Sequence, residues 1–215
     1  MDAASSPHAF SSDLLIREAR EADLPAIVAI YNASIPGGWS TADTRPIAVA
    51  DRLAWFRAFD PRRRPIWVAE LQGEVVATTY LSSFYQGRPA YDATAEISVY
   101  VAPQQQRRGI GRRLKQWVIS QCPRLGVTTL LSFYFDHNLA TRRLNAELGF
   151  ETVGHLRDIA VVQGQSRGLL IAALRIPPPT LQPTPPAKVP AETTADATAK
   201  PAAAADQPLT WPHLA

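Results

Sequence analysis

The stretch SVYVAPQQQRRGIGRRLKQWV, residues 98–118, decides the fold of this chain. It begins with strand-like alternation, passes through a turn that contains Gly109 and Gly111, and continues with helical spacing. Backbone N–H groups at the start of a helix lack partners and face an anion favourably, and glycines let the anion approach closely. The stretch therefore predicts a phosphate-binding turn between a strand and a helix.

This turn does not fit two common nucleotide-binding motifs. The triphosphate loop requires G-x-x-x-x-G-K-[ST], and the dinucleotide fingerprint requires G-x-G-x-x-G. Here Leu114 stands where the fingerprint would have its third glycine. The phosphate group must therefore belong to another class of ligand.

The remaining sequence alternates between strand and helix patterns. Apolar residues at helical spacing occur at 22–34, 49–59, 109–122 and 138–148. Strand-like patterns occur at 14–19, 65–71, 74–85, 92–102, 127–135, 150–164 and 166–176. This order predicts an α/β fold with a mixed sheet.

Composition predicts one domain between two tails. The chain has 215 residues, enough for one sizeable core. After Ile176 the sequence becomes rich in Pro, Ala and Thr, a composition that cannot bury enough apolar surface to offset ordering entropy. We expect a folded domain at 14–176, with disordered tails at 1–13 and 177–215.

Charge and cysteine content exclude several functions. A net charge of +3 gives no concentrated basic surface for nucleic acid. The single cysteine, Cys122, excludes a disulfide framework, and no histidines stand at metal-ligand spacing. With no secretion signal or membrane span, we expect a cytoplasmic protein without metal, nucleic-acid or membrane partners.

Three motifs together resemble one family. Q-R-R-G-I-G at 106–111 follows the strand ending V-Y-V, and Asn138 begins N-x-x-T ending in L-G-F at Phe150. This combination resembles the GNAT N-acetyltransferase superfamily. The segment AYDATAEISVYV, residues 90–101, is similar to phosphinothricin and methionine sulfoximine acetyltransferases. The resemblance implies a GNAT-type mixed, mostly antiparallel sheet flanked by helices, acetyl-CoA as acyl donor, and a homodimer.

The resemblance also implies cofactor contacts. Main-chain groups of Val99, Tyr100 and Val101 would pair with the pantetheine arm, and Asn138 would contact that arm from the next helix start. The loop expected to hold the pyrophosphate comprises Gln106, Arg107, Arg108, Gly109, Ile110 and Gly111. The side chains expected to attract the phosphates of coenzyme A are Arg107, Arg108, Arg112 and Arg113.

Glu96 is the candidate catalytic base. Alternation in the strand places it on a polar face, and the attacking amine, with a pKa of about 10, must lose a proton before it attacks. The resembled enzymes carry a glutamate with this role at the matching position. The alternative is a glutamate that only pairs with an arginine across the sheet.

The leaving group has no obvious acid. Many GNAT enzymes use a tyrosine seven residues beyond the helix-capping Asn, and here that position is Asn145. The thiolate could leave unaided because a thiol pKa is near 8.5. His137 and Tyr134 are the other candidates.

The acceptor is predicted to be a small molecule that carries a primary amine. Arg88 matches an arginine of the phosphinothricin enzymes, and its guanidinium could hold a carboxylate or phosphinate through two hydrogen bonds. Tyr91, Trp39 and Thr41 are the other expected acceptor contacts. Two alternatives remain: an acetyltransferase acting on protein N-termini or lysines, and a non-catalytic CoA-binding module.

Overall fold

The computed structural model describes residues 14–177, so the predicted tails lie outside it apart from Pro177. The helices are α1 Leu24–Asn32, α2 Val49–Arg57, α3 Ile110–Gln121 and α4 Leu139–Glu147. The strands are β1 Leu15–Glu18, β2 Ile66–Leu71, β3 Glu74–Ser83, β4 Thr94–Val101, β5 Thr129–Phe135, β6 Glu151–Val162 and β7 Gln165–Arg175. None of these helices has the length and apolarity of a membrane span.

One sheet joins all seven strands in the order β1-β2-β3-β4-β5-β7-β6. Every neighbouring pair is antiparallel except β4 and β5, which are parallel. The β2–β3 hairpin turns at Gln72 and Gly73, both with positive φ, which matches the right-handed twist of the strands. The predicted mixed, mostly antiparallel sheet is therefore confirmed.

Helices cover both faces of the sheet. On one face, Leu114 and Val118 of α3 are fully buried, and Val118 packs in the same cluster as Ala95 and Ile97 of β4. Burial of one such aliphatic side chain contributes about 1.5–3 kcal/mol. On the other face, α1 and α2 enclose an aromatic cluster that comprises Tyr31, Trp55, Phe59, Tyr80 and Tyr100.

The strands β4 and β5 pair along only part of their length. Thr94–Glu96 align with Thr129–Leu131, and the pairing ends there. Beyond this point Ile97–Val101 pair with β3 alone, while Ser132–Phe135 pair with β7 alone. The strands therefore separate and leave a gap, bordered by about 13 Å of β4 at 3.3 Å per residue.

Candidate active site

The edge of β4 that faces the gap carries unpaired main-chain groups. Ala102 donates its N–H to Val76 O on the β3 side, at 2.9 Å. Strand residues alternate in the direction of their main-chain groups, so the N–H and C=O of Val99 and Val101 face the gap. The corresponding groups of Tyr100 face β3, and its side chain is buried in the aromatic cluster. Of the three predicted residues, Val99 presents its N–H and C=O to the gap and Val101 presents its N–H, since the Val101 carbonyl accepts a hydrogen bond from Gln106.

The start of α3 forms an anion-binding turn at one end of this gap. Gly109 is the N-cap residue in a left-handed conformation, with φ +77° and ψ 0°, which glycine adopts without steric cost. No side chain caps the helix, and the first-turn N–H groups of Ile110, Gly111 and Arg112 have no partner within it. These donors and the helix dipole together favour a bound phosphate.

The other loop residues surround this turn. Gln106 Nε2 donates to Val101 O at 3.2 Å, which folds the loop back onto β4. Arg108 is exposed and donates to Gln105 Oε1, and exposed Arg107 has φ +59°. Arg112 forms an ion pair with Glu147 that ties α3 to α4. Basic side chains thus surround the turn, although Arg112 is already bound to a carboxylate.

Glu96 lies at the point where β4 and β5 separate. It is aligned with Ser82 on β3 and with Leu131 on β5, so its side chain shares the sheet face covered by α1 and α2. Within residues 14–177 its carboxylate has no hydrogen bond or ion pair, which leaves the arginine-pairing alternative without support. Burial raises the pKa of this carboxyl to about 7.

A short segment, Phe84–Tyr91, precedes β4 and contains three aromatic rings that pack against one another. Exposed Tyr85 and Tyr91 lie edge to face with ring centroids 5.7 Å apart, and the Arg88 guanidinium stands 5.2 Å from the Tyr85 ring centroid. No acidic side chain among the described residues pairs with Arg88. Its planar cation is therefore available to a ligand carboxylate.

Arg64 anchors this segment and was missed by the sequence analysis. It is buried and donates through Nη2 to the carbonyl oxygens of Asp92 and Thr94, at 2.7 and 3.3 Å. Its neighbour Arg63 forms an ion pair with the Asp92 carboxylate at 2.6 Å. A run of three arginines in the sequence does not indicate which one is buried.

The loop between α1 and α2 differs in accessibility at its two predicted acceptor contacts. Trp39 is 53% exposed, whereas Thr41 is buried. Thr41 Oγ1 lies 2.6 Å from Tyr31 Oη, which also donates to Asp43 at 2.6 Å. Thr41 therefore shapes the loop, and Trp39 is the residue that a ligand can reach.

The start of α4 fixes this loop. Asn138 caps α4 by accepting the Thr141 N–H at 3.0 Å, and it donates Nδ2 to Trp39 O at 2.9 Å. His137 Nε2 lies 3.0 Å from Gly38 O. Asn138 is therefore confirmed as the helix cap. Both ends of its amide already have hydrogen-bond partners, and its contact with pantetheine stays a prediction.

A buried polar group on the opposite face was also missed by the sequence analysis. Lys115 of α3 is 4% exposed and donates to Asn145 Oδ1 of α4 and to Ser132 Oγ of β5, the latter at 3.3 Å. Asn145 Nδ2 also donates to Ser132 Oγ at 3.1 Å. We call these three residues the Lys115 cluster. The sequence signal for this burial was the position of Lys115 beside the apolar stripe of α3 that Leu114 and Val118 form.

No group of three or more His, Cys, Asp or Glu side chains within residues 14–177 could hold a metal ion. Tyr134 is buried in the main core cluster, and His137 is engaged with the loop. The level where β4 and β5 separate thus has Glu96 on one face and the Lys115 cluster on the other.

Comparison with known proteins agrees with this geometry. A model described as the acetyltransferase (GNAT) family matches residues 24–150. The chain is 38% identical over 159 residues to YwnH of Bacillus subtilis, covering 74% of this chain and 96% of that protein. It is 32% identical over 166 residues to the L-methionine sulfoximine/L-methionine sulfone acetyltransferase of Pseudomonas paraeruginosa, covering 76% and 95%.

A solved structure gives the same fold with a ligand. The phosphinothricin acetyltransferase of Sinorhizobium meliloti, in complex with acetyl-CoA, superposes with a TM-score of 0.72 at 26% identity. The match covers 76% of this chain and 88% of that one.

Proposed function

Because the chain belongs to the GNAT family of acetyl-CoA-dependent N-acetyltransferases, we propose that it acetylates the primary amine of a small amino-acid-like acceptor. The acceptor would be of the phosphinothricin or methionine sulfoximine type, and it would react directly with the donor in a ternary complex. The unpaired Glu96 carboxylate at the end of the β4–β5 pairing is the observation that carries this proposal.

The residues around the gap fit acetyl-CoA, which supplies an acetyl group activated as a thioester. The N–H groups at the start of α3 would hold the pyrophosphate, with Arg107 and Arg108 close enough in sequence to add charge. The main-chain groups of Val99 and the N–H of Val101 would pair with the amides of the pantetheine arm, as an added strand would. The gap closes at Glu96, so the arm ends beside the candidate base.

Glu96 would remove the proton from the acceptor ammonium. A carboxyl with a pKa of about 7 accepts a proton more readily than an ordinary glutamate, while it is still substantially ionised near neutral pH. The absence of a competing ion pair among the described residues leaves the carboxylate available to the amine. Burial of the site strengthens this interaction because little water screens it.

Arg88 would hold the acid group of the acceptor. Its guanidinium has no acidic partner in the described part of the chain, and it precedes by eight positions the glutamate that would receive the proton. Tyr91 and Trp39 would form the walls of the acceptor site, and Thr41 would set the shape of the loop. An amino acid or its analogue carries an amine for Glu96 and an acid group for the Arg88 guanidinium, whereas a simple alkylamine carries only the amine.

Four further expectations belong to this proposal. We expect a homodimer and a cytoplasmic location, and we expect no nucleic-acid, membrane or metal partner. We also place the acetyltransferase domain at residues 14–176, between an N-terminal and a C-terminal tail.

A coenzyme A release assay tests the acceptor class. Acetyl-CoA would be incubated with phosphinothricin, methionine sulfoximine, methionine sulfone, common amino acids, polyamines and peptides. We expect turnover with the amino-acid analogues. Turnover with peptides alone would replace the small-molecule acceptor by a protein acceptor, and acetyl-CoA binding without any turnover would favour the non-catalytic module.

A further inference from the structure

We propose that Lys115 is the acid of the acetyl transfer, donating a proton to the coenzyme A sulfur as the acetyl group leaves it. The inference rests on the proposed location of acetyl-CoA in the β4–β5 gap. It assigns a catalytic role to a buried lysine that the Glu96 chemistry leaves unused.

The sheet register places Lys115 at the right level. Ser132 directly follows Leu131, the last β5 residue aligned with β4, and Leu131 is aligned with Glu96. Lys115 Nζ lies 3.3 Å from Ser132 Oγ. The ammonium is thus fixed at the level where the gap closes and where the end of the pantetheine arm must lie.

Side-chain alternation places the two titratable groups on opposite faces of the sheet. Glu96 and Leu131 share the face covered by α1 and α2, so Ser132 faces α3 and α4. A thioester held between the separated strands would have the base on one side and the ammonium on the other. Proton removal and proton donation then act at separate points and do not neutralise each other.

The surroundings of Lys115 leave its ammonium able to donate a proton. Both of its hydrogen-bond acceptors, Asn145 Oδ1 and Ser132 Oγ, are neutral, and the Phe150 ring centroid lies 5.2 Å away. An ammonium has three N–H groups, so one remains for a further acceptor. Burial without a carboxylate partner lowers the pKa of this ammonium to about 8, close to that of a thiol.

The one acidic residue of α4 does not cancel this effect. Glu147, the carboxylate of α4 two residues beyond Asn145, is paired with Arg112 of α3. The β4 residues on this face are apolar, with Ile97 and Val99 in the same core cluster. The ammonium is therefore a cation in an apolar setting, where it stabilises developing negative charge strongly.

The proton balance of the step is complete. The acceptor ammonium gives one proton to Glu96, which passes it to solvent, and the nitrogen then forms the bond to the acetyl carbon. Glu96 takes the second proton from this nitrogen as the amide forms. The C–S bond breaks with its electron pair on sulfur, and Lys115 Nζ gives a proton to that sulfur. The products are the amide and coenzyme A thiol, and the neutral Lys115 amine regains a proton from solvent after they leave.

The first test measures binding without an acceptor. Calorimetry would compare coenzyme A with desulfo-coenzyme A, which lacks the sulfur, for the wild type and Lys115→Met at pH 8, where about half of Lys115 is protonated and some free thiolate is present. We expect the preference for coenzyme A to fall by about tenfold in the variant, equal to a one-unit change in thiol pKa. Equal loss of affinity for both ligands would show a structural role and overturn the proposal.

The second test uses a conservative change and the pH profile. Asn145→Asp places a carboxylate beside Lys115, which raises the pKa of the ammonium, so the fall in kcat at alkaline pH should move upward. We expect Lys115→Met to lose about 100-fold in kcat and Tyr134→Phe to keep wild-type kcat. An unmoved alkaline limb in Asn145→Asp, or a loss in Tyr134→Phe that matches Lys115→Met, would contradict the assignment.

These tests separate the inference from the proposed function. The coenzyme A comparison needs no acceptor, so it gives its answer even if the acceptor class is wrong. If neither coenzyme A nor desulfo-coenzyme A binds the wild type, the proposed donor site fails and Lys115 loses its role with it.

Discussion

Glu96 and Ser132 lie at the same level of the sheet on opposite faces, because Glu96 is aligned with Leu131 and Ser132 is the next residue of β5. Ser132 in turn binds Lys115. The last aligned residues of the two diverging strands thus have the unpaired Glu96 carboxylate on one face of the sheet and the buried Lys115 ammonium on the other.

Replacing the base should slow the reaction without weakening donor binding. Glu96→Gln keeps the shape of the side chain but removes its ability to accept a proton, so kcat should fall by about 100-fold. Calorimetry should give an unchanged Kd for acetyl-CoA. The exposed Glu74 in the β2–β3 hairpin provides the control Glu74→Gln, and full activity in Glu96→Gln would remove Glu96 from the mechanism.

The pH dependence of kcat/KM should report the Glu96 carboxyl. Its pKa of about 7 means that activity rises as pH increases through 7, because only the ionised form accepts a proton. The residual activity of Glu96→Gln should lack this acid limb. A wild-type limb near the ordinary glutamate pKa of about 4.3 would show that the base is solvated or is another group.

Glu96 should also lower the stability of the fold at alkaline pH. Its folded-state pKa is raised, so the neutral form is favoured by folding and stability falls as pH rises through about 7. Urea unfolding at pH 8 should find Glu96→Gln more stable than the wild type by roughly 1–3 kcal/mol. At pH 4, below the ordinary glutamate pKa, the difference should nearly vanish, and a difference that is the same at both pH values would contradict the assignment.

The turn at Gly109 should be required for donor binding. A Cβ at φ +77° is strained, so Gly109→Ala should cost about 1–2 kcal/mol of stability. Gly126 has φ +68° in the connection after α3, far along the chain from the turn, and Gly126→Ala is the matched control for this strain. Only Gly109→Ala should weaken acetyl-CoA binding, by about tenfold or 1.4 kcal/mol; equal Kd values for the two variants would count against the phosphate site.

Arg88 should determine the affinity for acceptors that carry an acid group. Arg88→Ala removes a charged hydrogen bond worth about 1.5–3 kcal/mol, so KM for an amino-acid acceptor should rise by about 10- to 100-fold. KM for acetyl-CoA and for an alkylamine without a carboxylate should not change. Exposed Arg62 gives the control variant Arg62→Ala, and an equal rise for both acceptor types would indicate loss of structure around Tyr85.

The two bonds of Asn138 can be separated by substitution. Asn138→Asp keeps the acceptor for Thr141 N–H but loses the donor to Trp39 O, whereas Asn138→Ala loses both. Unfolding should show a loss of about 1 kcal/mol for Ala relative to Asp. Both variants free the Trp39 loop, so both should raise KM for the acceptor, and an unchanged KM in both would show that this loop does not form the acceptor site.

The sequence alone determined the elements and the family. Within residues 14–177, alternation and helical spacing predicted the seven strands and the four α-helices, because these patterns depend on which side chains must face the core. The glycine turn at 109–111 and the Asn138 cap were also predicted, since each is a local backbone requirement. Glu96 was proposed from its strand position and from the resemblance, both of which are properties of the sequence.

Only the tertiary structure decided where β4 and β5 separate, because the order of strands in a sheet follows from long-range pairing. Burial likewise depends on which elements pack together, so Arg64 and Lys115 could not be distinguished from exposed basic residues by their sequence alone. The meeting of Lys115, Asn145 and Ser132 joins residues from α3, α4 and β5. Short-range sequence patterns specify each strand and helix. The packing of those elements then decides which charged side chains face the proposed reaction site.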